Sequence, residues 1–177
     1  MRRRRASAGL RPRATGAMLV LVLGGIVGGC GDEPDAETSR ASLEESRAQV
    51  EQRFGEAVEA LTGAGFEVVD GGGRWVSCQM EPASAMEFSA GASVNGGSGD
   101  DAARVRAAAD AVAALGWESD AAAETPRPYA NFVDGDLRLS VSKSKIKEGL
   151  SFSVTGPCIE STTDQENELL GTRVDLP

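Results

Sequence analysis

Arginines at Arg2 to Arg5, with Arg11 and Arg13 behind them, are followed from Ala17 to Val27 by an uncharged run dominated by Leu, Val and Gly. No other feature restricts so strongly what this chain can fold into. A basic stretch before a short apolar one is the pattern of a secretory signal peptide. A membrane-spanning helix needs about 20 apolar residues, and this run offers roughly half of that before Gly28, Gly29 and the charged stretch from Asp32. The pattern predicts that residues 1–29 are removed on export and take no part in the fold. The remainder would then fold in an oxidising compartment, where disulfides persist.

Val27, Gly28, Gly29 and Cys30 resemble the lipobox of bacterial lipoproteins: an apolar residue, two small ones, then cysteine. The resemblance implies that the Cys30 thiol receives diacylglycerol, a palmitate-type modification, and that a dedicated peptidase cuts before it. Small residues let an extended backbone enter the peptidase cleft, and only a thiol forms the thioether. Two or three acyl chains, at about 0.8 kcal/mol per buried methylene, make a lasting anchor where one chain is marginal. The expected address is the outer face of the cytoplasmic membrane, with the lipid on Cys30 as membrane partner.

Removing 29 of the 177 residues leaves 148. Cys30 to Arg40 reads as an acidic tether, residues 41–160 as one domain of ordinary size, and residues 161–177 as a polar, frayed tail. The whole chain carries a net charge of -9, but six of its 18 basic residues and none of its 27 acidic ones lie before Cys30. Twelve basic against 27 acidic residues give the remainder -15. Such a surface repels phosphate backbones, so no nucleic-acid partner is expected. With Cys30 committed to lipid, Cys78 and Cys158 remain, and an even remainder in an exported chain reads as a disulfide. It would close a loop of about 80 residues, worth roughly 4 to 5 kcal/mol in the chain-entropy model.

Apolar residues at Leu43, Val50, Phe54, Val58 and Leu61 fall on one stripe of 3.6-residue period and predict a helix over 42–61. Ser42 and Glu45 form a capping-box pattern at its start, and Gly63 stands where a left-handed cap would fall. Residues 66–69 and 74–80 read as two extended segments joined by a turn at Gly71 to Gly73, with Val76, Cys78 and Met80 sharing an apolar face. Residues 85–94 alternate as a half-buried strand. Asp100 to Leu115 reads as a second helix, ended by Gly116 and covered by Trp117. After a loop holding Pro126 and Pro128, residues 129–133 and 136–142 pair across Asp134 and Gly135, and a last strand covers 150–155 after a turn at 147–149. The expected fold is α+β: a single domain whose antiparallel sheet is covered on one face by two helices, stapled by Cys78 and Cys158 between first and last strands.

No histidine occurs anywhere, which excludes Ser-His-Asp and Cys-His triads and every imidazole-based metal site. Ser140 with Lys143 and Ser142 with Lys145 match Ser-x-x-Lys, the nucleophile motif of penicillin-binding enzymes, but no Ser-Asp-Asn or Lys-Thr-Gly triplet accompanies them. They read as lysines blunting a strand end. Asp134, Gly135 and Asp136 resemble a fragment of a calcium loop without its distal glutamate, and read as a hairpin turn. Gly71 to Gly73 opens no helix and so cradles no phosphate. No catalytic residue, metal or cofactor is expected.

The lipobox at Cys30, Ser77-Cys78 at a strand end, Gly116-Trp117 after the second helix, and the run from Ser153 to Cys158 together resemble the small lipoproteins of actinobacteria, in particular the mycobacterial LppA-like group. That resemblance implies an envelope lipoprotein with one disulfide and no assigned activity. The expected function is therefore a non-enzymatic, membrane-anchored domain that presents an interaction or ligand-binding surface at the cell envelope. The alternative is a carrier or sensor for a small apolar ligand held between sheet and helices, against residues such as Phe54, Phe88 and Phe152. A hydrolase working with carboxylates alone is the least favoured expectation.

Overall fold

The computed structural model describes residues 34–79, 84–146 and 148–176. Residues 1–29, the lipobox, Cys30, Met80 and Lys147 lie outside them. The described residues form one α+β unit built on an antiparallel sheet of eight strands.

The first element is α1 (Ala36–Gly63). Its buried positions, Ser39, Leu43, Ser46, Val50, Phe54, Ala57 and Leu61, step by three and four residues and define one face. The helix begins earlier than the Ser42-Glu45 pattern suggests. Asp35 is the N-cap, its carboxylate accepting the Thr38 N–H at 2.9 Å, and an acidic cap also suits the positive end of the helix dipole. Residues 36–40 are therefore helix and not tether. At the other end Gly63 is still helical, and the left-handed residue is Gly65, with φ +85°.

Next come β1 (Phe66–Gln79) and β2 (Ala85–Gly96), paired antiparallel over most of their length. The Gly71 to Gly73 run is no turn. The chain passes straight through it, and the pairing with β2 shifts register between Val69 and Gly72, a bulge at which Asp70 takes φ 56°, and again between Ser77 and Gln79. The reason for glycine at position 73 is on the core side. A Cβ there would stand 2.4 Å from Cζ of Phe88, so that ring occupies the place of the missing side chain. Trp75 is the buried residue of this stretch and meets Phe88 edge-on at 5.2 Å. Val76 and Cys78, on the opposite parity, face away from the core, so the apolar face of β1 is Trp75's and not theirs.

Helix α2 (Asp101–Ala113) is capped by Asp100, which accepts from the Ala103 N–H at 2.8 Å. Gly116, with φ +88°, lies just beyond it, and Trp117 is buried with the Arg53 guanidinium 4.8 Å above its ring. Strand β3 (Glu118–Ala123) occupies residues that carry no alternating apolar pattern. It is an edge strand paired only with β4 (Tyr129–Asp134). Strand β4 turns into β5 (Leu137–Lys143) through Gly135 and Asp136, with Gly135 at φ 58°. Strand β6 (Leu150–Thr155) pairs with both β5 and β2.

Residues 161–177 were expected to fray, yet they carry a whole short helix and a strand. After the two-residue β7 (Ile159–Glu160), Thr162 opens α3 (Thr163–Leu169) through a capping box with Gln165. Strand β8 (Arg173–Asp175) then adds to the free edge of β1. Gln165 is buried, donating to the Ala36 carbonyl at 2.7 Å and accepting from Ser39 at 3.0 Å, which also fixes the early start of α1. The sheet order is β3-β4-β5-β6-β2-β1-β8, with β7 beside β2.

Helix α1 packs on β1, β2, β6 and β7, and α2 on β4 and β5. The two lie against one face. The core between them includes Phe54, Phe88, Phe132, Leu139, Phe152 and Val154. Where α1 comes nearest the sheet, a Cβ on Gly156 would lie 2.6 Å from Ser46 Oγ, so small residues permit the approach. The disulfide joins Cys78 to Cys158 with Cα atoms 5.9 Å apart. Cys158 does not lie in the last strand but between β6 and β7. The bridge therefore couples the two segments that flank the start of β2, since Ala85 pairs with Gln79 on one side and Glu160 on the other. No helix among the described residues is long and apolar enough to cross a membrane.

Candidate functional site

With both long helices on one face, the alternation of the strands turns every second residue of the sheet to the other. Ladder register shows what stands there. Asn131, Ser140, Ser153, Gly91 and Gly72 form one row across five strands, and Arg138, Thr155, Ser89, Arg74 and Arg173 form the next. A third row runs through Tyr129, Ser142, Ser151 and Ser93. The uncovered face is thus paved with short hydroxyl side chains and glycines. Among its longer side chains are Arg74, Arg138 and Arg173.

The hydroxyls are partly satisfied by one another. Ser89 and Thr155 share a hydrogen bond of 3.0 Å, and Ser140 donates to Asn131 Oδ1 at 2.9 Å. Arg138 is neutralised by Glu87, Nη2 to Oε2 2.7 Å. Arg74 and Arg173 differ. They are direct register partners on β1 and β8, both exposed, and among the described residues neither has a carboxylate within 4.0 Å. Every other arginine on a helix or strand among those residues has one. Two like charges directly opposite in a ladder oppose its formation, and here they occur in a chain rich in acidic partners.

Between these arginines lies an open trough of about 460 Å³, lined by Gly72, Arg74, Ser89, Gly91, Ser153 and Arg173, with Gly73 and Gly171 at its margin. A second open depression of about 290 Å³ shares Ser153 with it and is lined also by Ser140, Asn131 and Arg138. The missing Cβ of Gly72 leaves room for Arg173, whose Nε is 3.2 Å from where that atom would be, so the guanidinium lies down along the sheet. Asp175 shares this face beside Gly72 and forms no ion pair among the described residues.

The sequence-derived candidates fall elsewhere. Cys78 and Cys158 are brought together as expected. Ser140 is on the open face while Lys143 has the opposite parity and binds Asp101 at 3.0 Å on α2, so the Ser-x-x-Lys pair is divided by the sheet. Asp134 receives Arg53 of α1 at 2.7 Å, which ties the hairpin end to the helix. Phe54 stacks on Phe152 at 5.2 Å and Phe88 packs against Trp75, all within the core. Cys30, Val27, Gly28 and Gly29 lie outside the described residues. The arginine pair was not found from sequence because its members are 99 positions apart. The available signal was the recurrence of small and hydroxyl residues at every second position, at Ser89, Gly91 and Ser93, Ser140 and Ser142, and Ser151, Ser153 and Thr155.

Among the buried polar side chains of the described residues, Ser39, Ser46, Ser161, Thr162 and Gln165, there is no carboxylate. Comparison with family models, with curated proteins and with solved structures finds no match.

Proposed function

We propose that this chain is an exported lipoprotein, held through lipid on Cys30 at the outer face of the cytoplasmic membrane, whose domain is a non-enzymatic binding module. Its binding surface is the uncovered face of the sheet. The observation that carries this reading is that face itself: a wide polar surface of serines, threonine, asparagine and glycines, left open by helices that cover the core side of the sheet. The disulfide supports the address, because a bridge between Cys78 and Cys158 accounts for both cysteines other than Cys30 and fits an oxidising compartment. The close packing of Phe54, Phe88 and Phe152 favours an open-face module over a carrier with an apolar interior.

Two measurements test it. Intact mass of the protein from its native host should show a diacylglyceryl group on an N-terminal Cys30. An unmodified thiol, or a product retaining Arg2 to Gly29, defeats the anchor. Photo-crosslinkers placed at Ser140 and Ser153 in cells should give discrete adducts that crosslinkers at Glu45 and Glu59, exposed on α1, do not. Equal or absent labelling at all four positions defeats the binding face.

A further inference from the structure

We infer that the trough between Arg74 and Arg173 is a binding site for a phosphate monoester carried on a small hydroxyl-rich body, such as a sugar phosphate. The inference rests on the reading of the open face as the binding surface and adds the chemistry of what binds there.

Three observations converge. Two arginines stand in register on adjacent strands and neither forms an ion pair among the described residues, so two positive charges line the trough, with Asp175 the carboxylate that shares their face beside Gly72. A phosphate monoester carries about -1.5 to -2 near neutral pH and presents three oxygens, which suits two guanidinium forks better than a monovalent carboxylate does. The remaining lining, Ser89 and Ser153 with Gly72 and Gly91, offers hydroxyls that donate or accept and backbone that a ring can approach closely. No aromatic or large aliphatic side chain lines the trough, so it has nothing to offer an acyl chain or apolar group. Its volume of about 460 Å³ falls in the range of small-molecule sites, roughly 300 to 1,000 Å³. Ligand binding would also remove the opposition between the two arginines. The site is therefore one in which the free protein holds a repulsion that the anion relieves.

The test is isothermal titration of the full chain in neutral detergent with glucose 1-phosphate, inorganic phosphate and methyl glucoside. Glucose 1-phosphate should bind saturably and more tightly than inorganic phosphate, with affinity falling as salt is added, and methyl glucoside should not bind. Arg74→Gln and Arg173→Gln should each weaken binding about tenfold or more. Arg74→Lys should fall between, because charge survives and the fork does not. Arg127→Gln, on a loop away from the trough, should leave affinity unchanged. Both glutamine variants should melt no lower than the parent without ligand, since each removes a like-charge contact, so a lost affinity cannot be lost fold. No saturable binding up to about 10 mM, or affinity indifferent to Arg74→Gln and Arg173→Gln, overturns the inference. So does binding of inorganic phosphate as tight as that of glucose 1-phosphate, which would leave the hydroxyls without a role. If the titrations fail while crosslinks from Ser140 and Ser153 persist, the binding face stands and the phosphate ligand falls.

Discussion

Gly73→Ala tests whether the glycine run exists to admit the Phe88 ring. The new Cβ would lie 2.4 Å from Cζ and 2.9 Å from Cε1 of Phe88, and 3.3 Å from Leu176 Cδ1. Carbon atoms in contact sit at about 3.5 to 4.0 Å, so the ring or the strand must move by roughly 1 Å. Overpacking of this kind costs about 1 to 3 kcal/mol. Reduced freedom of the unfolded chain returns about 0.4 to 1 kcal/mol, which leaves a net loss of up to about 2.6 kcal/mol, centred near 1 kcal/mol. In urea, with a slope of about 1 to 3 kcal/mol per molar, the midpoint should fall by roughly 1 M at unchanged slope. Phe88→Leu alone leaves a small void and should cost less than the roughly 3 to 5 kcal/mol of a phenylalanine-to-alanine change. In that background Gly73→Ala should become neutral or stabilising, because the opposing ring is gone. Midpoint shifts that add to within about 0.5 kcal/mol would refute the close-approach explanation and return the glycines to a role in backbone conformation.

Gly55, inside α1 with nothing within 4 Å of a built Cβ, should accept alanine with a gain of about 0.5 to 1 kcal/mol in the same urea assay. Replacing Cys78 and Cys158 together by serine opens a loop with a sequence separation of 80. It should cost up to about 4.5 kcal/mol, read from denaturation of the variant beside the oxidised parent, and a loss under about 1 kcal/mol would contradict the bridge's role. Gln165→Ala removes the side chain that meets Ala36, Ser39 and the Thr162 N–H. It should cost about 1 to 3 kcal/mol and raise amide exchange in the first turn of α1, whereas a frayed C-terminal segment would show neither. The carboxyls of Asp35, held by the Thr38 backbone N–H, Glu56, held by Gln52 and Arg53, and Glu168, held by Arg40, all titrate below their ordinary values of 3.8, 4.5 and 4.5. A depressed folded value contributes stability that is full above the unfolded value and disappears as pH falls through the folded one. The melting temperature should therefore be level from neutral pH to about 5 and decline below about 4.5, and Asp35→Asn with Glu168→Gln should flatten that decline.

The parts of the fold visible in the sequence are those whose cause is local. The helix read over Asp100 to Leu115 forms as α2, Gly116 sits at positive φ just past it, and the hairpin of β4 and β5 follows from its turn and flanking alternation. Where the cause lies far along the chain, local reading fails. The first turn of α1 is secured by Gln165, more than a hundred residues away, and β8 is a strand only because β1 offers a free edge. Strand β3 has no apolar alternation because it is an edge with little to bury. The glycine run shows the same failure in its sharpest form: glycine signals a turn unless a partner's side chain needs the space, and that partner, Phe88, is on another strand. The disulfide was legible from arithmetic alone. The arginine pair was not, because pairing and not spacing creates it.

Gly72 and Gly73 are neighbours that serve opposite sides: Arg173 rests over one and the Phe88 ring fills the place of the other. At that point the sheet is a single layer of backbone with hydrophobic interior pressing from below and a guanidinium lying on top. Close-packed interiors pass strain onward where they cannot absorb it. A change in the shape of the residue at position 88 should therefore be felt as a tilt of Arg173, and core variants of this protein should alter its surface chemistry without touching it.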